Sequence, residues 1–196
     1  MPDFYPPPLS VLHHAMERKG FAVFRGQGYD LNIIGVRTSD MAANTFNDWL
    51  TFSYLSGDRW AYLPFPGTTD PGTYYRQNPT NVAGTAVVVP GQYRGLWKVG
   101  MHQGKYRAFV QAAPVKVYRD GNKDGRLDTD GPVEEGLFGI NLHRAGETAV
   151  SVQVDKWSAG CQVLADPRHL GFALALAELG AGKTFSYTLL TEGELS

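Results

Sequence analysis

GINLHRA, running from Gly139 to Ala145, carries a histidine, and WSAGCQV, from Trp157 to Val163, carries the only cysteine of the chain. A thiol becomes a useful nucleophile when a neighbour takes its proton or stabilises its thiolate, and a nearby imidazole does both around neutral pH. GLFGINLH and WSAGCQVL are both apolar and glycine-spaced, the character of buried strands. Paired side by side, they would bring His143 and Cys161 to one face. Ala159 and Gly160 are small enough to let a substrate carbonyl approach closely while backbone N–H groups face a developing oxyanion. The competing reading is equally physical: a free cysteine is commonly buried as a small hydrophobe, and a glycine beside it can mark only a bulge or close packing.

The spacing adds a resemblance. After His143, fourteen residues from Arg144 to Trp157 lead to Ser158, Ala159, Gly160 and Cys161. This resembles the signature of the L,D-transpeptidases, the YkuD-like enzymes of peptidoglycan: a histidine, fourteen to seventeen residues, Ser or Thr, one residue, Gly and Cys. The resemblance spans roughly Gly95 to Val163 and does not extend to about residues 1–94. It implies that His143 is the general base and Cys161 the acylated nucleophile, with Ser158 and Gly160 at the small positions of the motif. It also implies a mainly β, sandwich-like or mixed-sheet catalytic domain acting on peptidoglycan stem peptides. Cys161 would take up an acyl group that passes to an amine or to water, and no cofactor is needed for catalysis. Two positions depart from the family pattern. Ala159 stands between Ser and Gly, and Gln162 and Val163 follow the cysteine where an arginine is common two residues on. Arg144 is the candidate to supply that charge. Trp157, Ala159, His102 and Tyr75 are candidates for contact with substrate.

DGNKDGRLDTDG, from Asp120 to Gly131, is a second chemical pattern. Asp120, Asn122, Asp124, the Arg126 backbone and Asp128 fall where a calcium loop of EF-hand type places oxygen ligands, with Gly125 at the sharp bend. Gly131 occupies the position of the closing Glu, leaving Asp130, Glu134 or Glu135 as the nearest acids, and APVKVYR before the loop reads as a strand rather than a helix. A structural Ca2+ and a plain Asp/Asn/Gly turn both remain open. His102 lies between Gly100 and Gly104 in a strand or turn. Asp70, Tyr74 and Tyr75 belong to a Gly/Pro-stiffened loop suited to forming a wall. His13 and His14 are adjacent in a helix and so point about 100° apart, which is no paired metal face. His169 follows Asp-Pro-Arg at a helix start.

The elements that must position these groups are mostly strands. Ser10 is a candidate N-cap for one helix ending at Gly20, and RHLGFALALAELGAG has helical length near the other end. Between them, short apolar runs such as FAVFRG, LNIIGVRT, WLTFSYLSG and GTAVVVPGQY are broken by Gly, Pro, Asn and Asp. Length and the even spread of glycines and prolines fit a single domain over 1–196.

A net charge of −1, from 18 basic and 19 acidic residues, argues against a nucleic-acid partner. No run is apolar and long enough to span a membrane. MPDFYPPPLS lacks a basic and an apolar signal region. The expectation is synthesis in the cytoplasm and action at the bacterial cell wall after release or delivery, as for a phage lysis or virion protein or a delivered effector. The alternative is a non-catalytic, calcium-stabilised structural or binding module of a virion. A papain-like hydrolase ranks last, because there the cysteine precedes its histidine.

Overall fold

A computed structural model describes residues 5–42, 44–180 and 182–196. The chain is mainly β, in two sheets. Eight strands close into a barrel: β1 (Asn32–Arg37), β11 (Phe185–Thr191), β5 (Gly91–His102), β6 (Tyr106–Gln111), β9 (Leu142–Arg144), β10 (Gln162–Leu164), β3 (Arg59–Thr68) and β2 (Asp48–Ser56), in that spatial order. Neighbours are antiparallel except for β1 with β11 and β9 with β10. A second, antiparallel sheet orders β4 (Thr85–Val88), β7 (Val115–Asp120) and β8 (Val133–Gly136). The strand rhythm of the sequence is therefore realised in a mixed sheet, but one that closes on itself where a sandwich was expected.

Side chains of a strand alternate between faces, and this decides the layers. Ile33, Leu50, Phe52, Leu142, Leu164, Tyr187 and Leu189 belong to the main core with Trp97 and Phe109. Ile34, Val36, Trp49 and Leu190, one residue out of phase, instead meet Leu12, Ala15 and Met16 of helix α1 (Leu9–Arg18). That helix starts earlier than Ser10 would have it. Pro8 is its N-cap, and the Pro8 carbonyl accepts from Val11 and Leu12. Helix α3 (Pro167–Leu179) adds Leu170, Ala173 and Ala177 to the main core and is capped by Asp166, which accepts from the Arg168 N–H. A short helix α2 (Thr73–Gln77) lies where the sequence suggested a loop. No helix among the described residues is long and apolar enough to cross a membrane.

FAVFRG is extended but forms no strand. Two side-chain amides replace the missing ladder: Gln92 exchanges hydrogen bonds with both backbone groups of Ala22, and Asn32 with both of Phe24. Amide side chains reproduce the donor and acceptor of a peptide unit, so apolar patterning alone could not distinguish this segment from a strand.

The buried cation Arg37 joins the two sheets. It pairs with Asp70 at 2.6 Å and donates to the carbonyls of Thr69 and Val88, the latter in β4. Asp70 is thereby turned inward and is no part of a substrate wall. Removing one partner of such a pair strands a buried charge, whereas an exposed pair contributes little. Arg37→Ala should lower unfolding stability by about 3–5 kcal/mol in urea denaturation. Arg107→Ala, which breaks an exposed pair with Glu178, should change it by less than about 1 kcal/mol.

Candidate active site

Strands β9 and β10 place the histidine and the cysteine on one face of the sheet, offset by two residues in register. They run parallel, with Leu142 beside Gln162, His143 beside Val163 and Arg144 beside Leu164. Leu142 and Leu164 belong to the main core, so His143 and Val163 face outward. Cys161, two residues before Val163, shares that outward phase and packs against a small cluster of Phe46, Ala145, Val154, Val163 and Ala165. Only part of WSAGCQVL is strand. Cys161 immediately precedes β10, at the end of a turn.

That turn explains the residues around the cysteine. Ser158 is buried; its hydroxyl accepts from the Gly160 N–H at 3.1 Å and donates to the Cys161 carbonyl at 2.8 Å. Gly160 has φ +120°, and a Cβ there would lie 2.5 Å from the Ala86 carbonyl oxygen of β4. The space above Gly160 is thus filled by the second sheet, and its N–H is committed to Ser158. Trp157 and Ala159 stand exposed at the rim.

The buried His143 is held by its own strand. Its Nδ1 lies 2.8 Å from the Arg144 carbonyl oxygen, which can only accept, so Nδ1 carries the hydrogen and Nε2 keeps its lone pair. The Tyr106 hydroxyl donates to the same carbonyl at 3.2 Å and lies 3.3 Å from Nδ1. His102 stacks on His143 with ring centroids 4.1 Å apart. The Asn141 amide orients His102: its oxygen accepts from Gln111 N–H, so its NH2 donates to His102 Nδ1 at 3.0 Å. His102 is therefore a neighbour of His143, itself buried.

Electrostatics keep both groups neutral. Burial, reinforced by the stacked His102, lowers the His143 pKa to about 4 against the pull of its carbonyl contact. Burial pushes the Cys161 thiol up to about 11, opposed by the Asn141 N–H. The sulfur accepts that N–H at 3.5 Å and donates to the Gly139 carbonyl at 3.4 Å. The resting pair is thiol and imidazole, in which Nε2 can act as a general base.

Arg144 folds back over the Tyr106 ring, 4.2 Å from its centroid, donates to the Gly146 carbonyl and approaches Glu147 at 3.7 Å. Tyr75, half-buried on α2, meets Tyr74 edge-on. The α2 segment abuts the cysteine turn through the Gly72 N–H, which donates to the Ser158 carbonyl at 2.9 Å. At this rim Lys156 lies 4.3 Å over the Tyr74 ring.

Tyr106, Asn141 and Lys156 were not singled out in the sequence. The first two are recruited by strand pairing, for which no spacing rule exists. Asp120, Asn122, Asp124, Arg126, Asp128 and Asp130 form a separate locus beyond β7, and no group of three or more His, Cys, Asp or Glu placed to hold a metal occurs among the described residues.

Two outcomes follow. Alkylation of Cys161 by iodoacetamide should rise continuously from pH 7 to about pH 10; a plateau across neutral pH would reveal a preformed thiolate–imidazolium pair instead. Gly160→Ala should cost at least about 1–3 kcal/mol in chemical denaturation, because it combines a strained φ with a backbone clash. Compared with protein-family models, curated proteins and solved structures, the chain matches none.

Proposed function

We propose that the protein is a cysteine-dependent acyltransferase or peptidase acting on peptidoglycan stem peptides, similar in chemistry to the L,D-transpeptidases. The observation that supports this reading most directly is that His143 on β9 and Cys161 at the entry to β10 share the outward face of adjacent strands, with Nδ1 tied to a carbonyl and the Nε2 lone pair left for a proton.

Chemically, Cys161 Sγ attacks the carbonyl carbon of a stem-peptide bond while His143 Nε2 takes the thiol proton. The tetrahedral intermediate collapses, the C–N bond breaks, and the same proton leaves with the amine of the departing residue. An acceptor amine or water then attacks the thioester, and the thiol is restored. Because thiol and imidazole start neutral, proton transfer accompanies attack rather than preceding it. Tyr106 and the Arg144 carbonyl hold the ring, and burial and then His102 keep its pKa low. Tyr75, Trp157 and Ala159 flank the approach, and Lys156 is a rim cation available to a substrate carboxylate.

A second reading, a non-catalytic binding or structural module, is favoured by one observation: both ionisations are displaced away from an activated ion pair. Incubation with meso-diaminopimelate tetrapeptide muropeptides separates the two. Mass spectrometry should find an acyl adduct on Cys161 with loss of D-alanine, absent in Cys161→Ala, and reduced by at least about 100-fold in rate in His143→Ala. Neither adduct nor turnover in the wild-type protein would select the module. For an active enzyme, the base must be neutral, and a lowered pKa moves its protonation to lower pH; the acid limb of kcat/KM should therefore fall near pH 4. A limb at pH 6–7, the range of an unperturbed imidazole, would contradict the burial of His143.

A further inference from the structure

The loop joining β7 to β8 contains an unexplained buried charge. Asp120, the last residue of β7, is 0% exposed, and neither of its carboxylate oxygens has a hydrogen-bond partner. A buried carboxylate without partners is normally protonated or meets a cation. Arg76 of α2 is close enough to feel Asp120, and its described donors serve carbonyls: Nε to Pro71 at 2.8 Å, Nη1 to Gly125 at 3.1 Å and to Met41 at 3.3 Å.

More acidic groups converge on the same place. Burial and then the neighbouring Asp128 charge raise the Asp120 pKa to about 6, against the approach of the Asp128 N–H and the charge of Arg76 and with a smaller push from Asp124, and Asp128 is itself raised by burial and then by Asp124 and Asp130. Like charges thus crowd around a carboxylate whose oxygens make no hydrogen bond of good geometry. The intervening oxygens are turned by the backbone: Asn122 Oδ1 accepts from the Asp124 N–H at 3.0 Å and Asp124 Oδ1 from the Arg126 N–H at 2.7 Å. Gly125, at φ +81°, makes the bend between them.

We propose that this loop binds one Ca2+ through the side-chain oxygens of Asp120, Asn122, Asp124 and Asp128 and the backbone carbonyl of Arg126, drawing in carboxylates that the structure does not gather as a metal-holding group among the described residues, with water completing the shell where Gly131 supplies no side chain. The orphaned Asp120 carboxylate is the observation that separates this loop from a plain turn. Its donors are all oxygen, with no thiol or imidazole, which suits a hard cation. Their number and irregular closure suit the flexible shell of Ca2+ better than the strict octahedron of Mg2+.

The ion would also have a mechanical consequence. Gly125 holds Arg76 of α2 through its carbonyl, and Leu127 is buried, with its N–H on the Met41 carbonyl at 2.8 Å. Fixing the loop fixes α2, which abuts the cysteine turn.

Calorimetric titration and thermal unfolding of the chelator-treated full chain test the site without any activity readout. The expected result is one Ca2+ per chain, a Kd between about 10⁻⁵ and 10⁻³ M, and a Tm raised by on the order of 5 °C at saturating Ca2+, with Mg2+ binding at least about tenfold more weakly. Asp124 is exposed, so Asp124→Asn should fold and lose at least about tenfold in Ca2+ affinity. The proposal is overturned if the wild-type chain shows neither heat nor a Tm shift at about 10 mM Ca2+, or if Asp124→Asn responds to Ca2+ as the wild type does.

Discussion

The alternation of side chains across β9 and β10 is the constraint on which the site depends. Each strand is only three residues long, yet both are committed on the inward face, where Leu142 and Leu164 complete the main core and Gln162 accepts from the Tyr187 hydroxyl at 2.6 Å. A slip of one residue would expose those leucines and bury the histidine and cysteine in the barrel. The core thus sets the register, and the register sets which face carries the chemistry.

Burial then determines the protonation states. An imidazole and a thiol withdrawn from water both favour their neutral forms, because the cost of desolvating a charge exceeds what the nearby dipoles return. The Arg144 carbonyl favours a protonated ring, but burial and the second imidazole of His102 outweigh it. What remains is directional. A carbonyl that only accepts, together with a tyrosine hydroxyl, fixes the tautomer and leaves one ring nitrogen free to take a proton.

The second sheet supports this arrangement from one side. Arg37 reaches from β1 to the Val88 carbonyl of β4, and the Ala86 carbonyl of the same strand occupies the place a side chain would take at residue 160. The glycine before the cysteine is therefore demanded by backbone packing, whatever approaches the sulfur. The β7–β8 loop extends that sheet to α2, so a cation there would act on the rim through Arg76 and Gly72 rather than through the sulfur itself.

Much of the architecture was legible in local pattern. Strand runs, the two principal helices and the Asp/Asn/Gly loop all follow from periodicity, propensity and residue type, which act over a few neighbours. Other features arise from contacts distant in sequence. FAVFRG reads as a strand but is completed by two amides, the sheet closes through parallel pairs between β1 and β11 and between β9 and β10, and Tyr106 and Asn141 reach the histidines only because hairpin and crossover pairing places them there. The sequence by itself determined which residue types are able to do chemistry and that strands flank them. Tertiary structure alone decided which of them meet and in which protonation state, since both depend on register and burial, which belong to the assembled core.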